Sequence, residues 1–146
     1  MPHNRTPTSA ANETIAGLAQ PRLAKSLDPI AGRFVYSLRL IALHQKRHAD
    51  PVPELASRLK SISVAAQALA LSQTVASVWP ENVQVSRFCC CKLTPDEATI
   101  ADMISSAFHR DRHAFEHTIE GLIRPDRKAR LWESVLSLVE AELSAL

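Results

Sequence analysis

Leu93-Thr94-Pro95-Asp96-Glu97-Ala98 decides how the second half of this chain is read. Thr94 is suited to be an N-cap, its hydroxyl accepting from the N–H of Glu97 while the Glu97 carboxylate reaches back to the N–H of Thr94. Pro95 takes the first helical position, where a missing N–H costs nothing. Leu93, just before the cap, packs on Ala98 as a hydrophobic staple. These residues predict a helix start and set the phase of the apolar pattern behind it.

Downstream, Ala101, Ile104, Phe108, Phe115, Ile119 and Leu122 stay within about 60° of one another at 100° per residue. His109-Arg110-Asp111-Arg112 reads as a loop by polarity, yet the phase runs straight through it. One continuous helix over about 95–123 is the expectation, with a short kink near 109–111 as the alternative. Pro125 ends that helix, and a last one over about 126–144 carries Trp132, Leu136, Val139 and Leu143 on one face.

Upstream, Asp28-Pro29 opens a helix that runs to about His48. Ile30, Phe34, Leu38 and Ile41 share a face, flanked by Val35 and Ala42. Leu40 and Leu43 lie on the far side among the cations Arg33, Arg39, Lys46 and Arg47. A helix apolar nearly all round is expected to be covered on two sides. Asp50-Pro51-Val52-Pro53 is a hard break. A second long helix is expected from about Pro53 to Val78, with Leu55, Leu59, Ile62, Ala66 and Leu69 alternating four and three apart and continuing to Gln73 and Ala76. Trp79-Pro80 ends it, and residues 81–93 read as an extended connector, since a lone strand has no partner here. Residues 1–27 read as a flexible tail in which Ile15, Leu18, Leu23 and Leu27 form a fragment of helix able to dock. The sum is all-α: a bundle of four main helices, with room for a fifth short N-terminal one, in a single domain over 28–146.

Composition agrees. With 146 residues, 46% of them apolar, the chain is long enough for one hydrophobic core. No run of about 18 apolar residues offers a transmembrane span, so no membrane partner is expected. The first residues lack a basic start and apolar h-region, and Cys89, Cys90 and Cys91 are consecutive and odd in number, which is no disulfide framework. Reduced thiols point to the cytoplasm. Residues 1–50 hold seven Lys/Arg against three Asp/Glu, a basic front end able to meet an acidic protein or nucleic acid.

At Arg39-Leu40-Ile41-Ala42-Leu43-His44 and at Cys90-Cys91-Lys92-Leu93-Thr94-Pro95-Asp96-Glu97-Ala98 the chain resembles a family of small all-α bacterial proteins of unknown function. The likeness takes in Asp111-Arg112 with Phe115 and covers roughly residues 35–125. That family has no assigned activity, so the resemblance implies nothing about mechanism.

For chemistry, the histidines stand out. His109, His113 and His117 recur every four residues, and an i, i+4 pair on a helix can share one metal ion, with Glu116 or Glu120 as a third ligand. All three cannot, because His109 and His117 lie about 12 Å apart along the axis. The competing expectation is a solvated face with pairs such as Arg112–Glu116. Cys89 and Cys91, on one side of an extended segment, offer a C-x-C thiol pair for a soft metal or for redox chemistry. No glycine-rich phosphate loop or nucleophile elbow occurs, and no catalytic residue or cofactor is implied. Nucleic-acid binding rests on the basic first helix. With surplus apolar surface and no catalytic constellation, the reading is a non-enzymatic protein-interaction or regulatory module. Its partner is another protein or a second copy, and its surface is Leu40, Leu43, Arg39 and Arg47. A metal- or thiol-based sensor is the alternative.

Overall fold

A computed structural model describes residues 22–146. The expected docking positions Ile15 and Leu18 lie outside the described residues, with the rest of 1–21. Residues 22–27, assigned to the tail by sequence, are fastened instead. Ala24 N–H donates to the Cys91 carbonyl and Leu93 N–H to that of Arg22, both at 2.8 Å, around an isolated Leu23–Lys92 bridge. A 3-10 turn, Ala24–Ser26, follows.

Among the described residues there are six α-helices and no strand, so the architecture is all-α: α1 Pro29–Lys46, α2 Val52–Leu59, α3 Ile62–Val78, α4 Pro95–Phe108, α5 Arg112–Thr118 and α6 Pro125–Ser144. The count exceeds the expected four because both long helices divide, each at a residue with positive φ followed by a cap. Lys60 turns left-handed at φ 59, and Ser61 restarts the helix with its hydroxyl accepting from Val64 N–H. Arg110 does the same at φ 58, and the Asp111 carboxylate accepts from Ala114 N–H at 3.0 Å. The expected continuity over 95–123 is therefore overturned, and 109–111 is a true break.

The first division has a consequence for packing. Buried positions on α3 are Val64, Ala68, Leu71, Val75 and Val78, with Ala65 beside them. Their spacing is the expected alternation of four and three, shifted by two residues. A shift of two is about 200° around the helix. Ile62 is accordingly 80% exposed, and Ala66, Gln73 and Ala76 face solvent. The chain carried the seam's period correctly; the break at Lys60 uncoupled its phase from Leu55 and Leu59, which stay buried on α2.

α3 lies along α6 in the most extensive helix pairing, while α1 packs on α4 and α4 on both α5 and α6. The core residues of α6 are Leu131, Trp132, Val135, Leu138 and Val139; Leu143, expected on the core face, is 39% exposed. Short α5 is seated by Phe115, whose ring meets Trp132 edge-on at 5.0 Å. α1 is buried on two sides as anticipated: Leu40 is 1% exposed, and Tyr36 packs on Phe88 of the connector.

Candidate functional site

The capping box forms as written, with Glu97 N–H on the Thr94 hydroxyl at 3.0 Å and Thr94 N–H on Glu97 Oε1 at 2.9 Å. The same carboxylate does far more. It is fully buried, and Arg39 grips it with a fork: Nε on Oε2 at 2.8 Å and Nη2 on Oε1 at 2.9 Å. Ser86 N–H adds a bond to Oε2 at 3.1 Å. Arg39 then donates through Nη1 to the Cys90 carbonyl at 2.6 Å and through Nη2 to that of Lys92 at 3.0 Å. One ion pair thus knots α1, α4 and the connector together. Burial opposes ionisation of Glu97, but the hydrogen bonds from Arg39, Thr94 and Ser86 and the Arg39 charge outweigh it, holding the carboxyl below its usual range. The Glu97 hydrogen bond and charge correspondingly raise Arg39 despite its burial.

This corrects the expected interaction surface. Arg39 and Leu40 are buried, Leu43 is half-buried, and only Arg47 is exposed. Arg33 also faces a carboxylate, that of Glu142. Of the four cations on the basic first helix, Lys46 and Arg47 at its end remain in solvent. Sequence assigns Glu97 its capping role but not its ion pair with Arg39, although the signal was there: at one turn before Ala101 on the apolar stripe, an acid needs a buried partner.

The break divides the histidine row and leaves only His113 and His117 at i, i+4 on one helix. His109 caps the C-terminus of α4, while His113 and His117 sit exposed on α5 beyond the break. Among the described residues no group of three His, Cys, Asp or Glu is placed to hold a metal ion. His44, by contrast, ties α1 to α2, with its Nδ1 2.9 Å from the Leu40 carbonyl and its Nε2 3.2 Å from Glu54. The three cysteines are free thiols on a turn closed by Cys90 N–H on the Arg87 carbonyl; Cys89 and Cys91 are exposed, and Cys90 is half-buried.

The surplus apolar surface lies elsewhere. Where α1 begins and α2, α4 and α6 end, Ile30, Leu59, Phe108 and Leu143 line an open groove of about 500 Å³, together with Arg33 and Lys60. Phe108 is 40% exposed there, a consequence of the break at Arg110 that takes the chain away from it. Arg33 spans the floor, donating from Nε to both Glu142 oxygens at 2.8 and 3.0 Å and from Nη2 to the Leu59 carbonyl at 2.9 Å. The Lys60 side chain makes no hydrogen bond or ion pair among the described residues.

No family model, no curated protein and no solved structure matches this chain. The likeness noted above therefore rests on its residues alone, and two of its stretches, 39–44 and 90–98, contain the two halves of the Arg39–Glu97 knot.

Proposed function

We propose that this protein is a small, non-enzymatic interaction module that receives an apolar segment of a protein partner in the groove between Ile30, Leu59, Phe108 and Leu143. The supporting observation is the groove itself: large apolar side chains from four helix ends meet in the open, within the volume that a few buried side chains of a ligand occupy. Its partner is read in the helix-in-groove mode, where side chains at i, i+3 or i+4 fill a trough between helices. A cytoplasmic setting belongs to this reading, supported by three free thiols of which two face solvent. No helix among the described residues is long and apolar enough to cross a membrane.

The test is a paired capture from nuclease-treated extract with the full-length protein and its Phe108→Asp/Leu143→Asp variant as baits. Both positions are partly exposed, so the variant keeps its helical circular dichroism. A protein retained by the first bait and lost with the second carries the proposal. Identical capture by both baits sinks it. Sedimentation velocity on the same pair tells whether the lost partner is a second copy.

A further inference from the structure

We propose that Cys89 is a site of S-thiolation by anionic disulfides, the chemical class of glutathione disulfide, which a patch of unmatched cations gathers at the thiol. The site is separate from the groove. Three observations carry it.

The first is which thiol the fold selects. Sequence pairs Cys89 with Cys91, and both are exposed. The turn closed by Cys90 N–H on the Arg87 carbonyl gives them different surroundings. Cys89 and Cys90 line a cavity of about 300 Å³ between that turn, residues 24–27 and α1, and Cys91 does not. Cys90 is half-buried, so of the three only Cys89 is both open to solvent and set in the cavity wall. The second is charge. Residues 22–27 and 82–95 contain no Asp or Glu. Of their four cations, Arg22 is paired with Asp102. Lys25, Arg87 and Lys92 are exposed, and their side chains make no hydrogen bond or ion pair among the described residues. Lys25 lines the same cavity as Cys89, Arg87 stands two residues before it on the turn, and Lys92 follows Cys91. Arg39 also reaches the cavity, but its charge is matched by Glu97. Three unmatched cations raise the local concentration of an anionic reagent and lower that of a cationic one. The third is the cavity's apolar side, where Leu27, Val35, Tyr36 and Phe88 offer packing for a group attached to Cys89.

The exchange needs nothing beyond the reagent. The Cys89 thiol gives its proton to solvent and its sulfur bonds one sulfur of the disulfide. The S–S bond breaks and the other half leaves as a thiolate. Cys89 is thereby oxidised to a mixed disulfide while the departing half is reduced, and a free thiol reverses the step.

The test treats the full chain, as wild type and as Lys25→Ala/Arg87→Ala/Lys92→Ala, with three symmetrical disulfides: glutathione disulfide, neutral hydroxyethyl disulfide and dicationic cystamine. The three substituted side chains are exposed and unbonded, so the variant keeps its helical circular dichroism. Tandem mass spectrometry reads the rate of adduct formation at each cysteine. Glutathione disulfide is expected to modify Cys89 several-fold faster than Cys91. Its rate relative to hydroxyethyl disulfide should fall several-fold in the variant and in high salt, while cystamine gains in both. Equal rates at Cys89 and Cys91 would overturn the choice of thiol. A glutathione disulfide rate indifferent to salt and to the variant would overturn the recognition of anions. So would equal slowing of all three reagents in the variant, which would place the cations' effect on the thiol rather than on the reagent.

Discussion

Two arginines six residues apart on α1 each meet a glutamate from a distant helix, and they differ in nearly everything else. Arg39 and Glu97 have side chains 4% and 0% exposed, and the arginine's remaining donors hold two connector carbonyls. Arg33 and Glu142 are 38% and 8% exposed at the floor of an open groove. The first pair is sealed, saturated with hydrogen bonds and organises the connector. The second neutralises a carboxylate on a surface that is otherwise apolar. The contrast teaches that burial, not the residue pair, determines what an ion pair contributes: a sealed pair penalises the loss of either member, while an open one is screened by water.

The largest expected effect is that of Arg39→Met. It strands a buried carboxylate and orphans the Cys90 and Lys92 carbonyls, and is expected to cost about 3–5 kcal/mol in urea denaturation. Arg39→Lys keeps the charge but not the fork, and should fall between. Arg33→Met leaves the Glu142 carboxylate without its partner but beside the open groove, where water can reach it, and should cost less, about 1–2 kcal/mol. Equal losses for the two methionine variants would break the comparison.

Acid sharpens it further. Because the Glu97 carboxyl is held below its usual range, its stabilisation is complete above about 4.3, the ordinary glutamate value, and drains away as pH falls through its lower native value. The urea midpoint of the wild type should drop across that acid window, and Glu97→Gln should flatten the drop. A variant as acid-sensitive as wild type would assign the loss to other carboxylates.

The smallest effects concern the helix breaks. Lys60 holds a left-handed conformation worth roughly 1–2 kcal/mol of strain, and Lys60→Gly relieves it at an entropic cost of about 0.5–1 kcal/mol. A net gain of about 0.5 kcal/mol is expected from thermal denaturation. Gly121→Ala is the mirror experiment: nothing lies within 4 Å of the added methyl, yet φ is +77. A loss of about 1 kcal/mol is expected from backbone alone. No loss would show that the turn relaxes.

Local signals were legible wherever one residue's chemistry sets one backbone conformation. The Thr94–Glu97 box, Pro29 and Pro95 at first helical positions, and the break before Pro53 all needed only neighbouring atoms. The break at Lys60 was not legible by the same route and that at Arg110 only as an alternative, from the polarity of 109–112, because neither residue favours a left-handed turn. Their partners, Ser61 and Asp111, are ordinary cap residues that also occur inside helices. The groove was invisible in turn because Phe108 and Leu143 continue apolar stripes in sequence, and only the chain's departure at Arg110 and the end of α6 leave them uncovered.

By itself the sequence determined the helical class, the Pro-marked helix starts at Pro29, Pro95 and Pro125 and the four-three period of the α3 seam, since these follow from backbone sterics, capping and side-chain spacing within a turn or two. Tertiary structure alone decided which face of that seam is buried, that Arg39 faces Glu97 rather than solvent, and where apolar surface is left in the open. Each of those depends on which distant side chain excludes water, and an apolar helix offers more than one face for burial until a neighbour covers one of them.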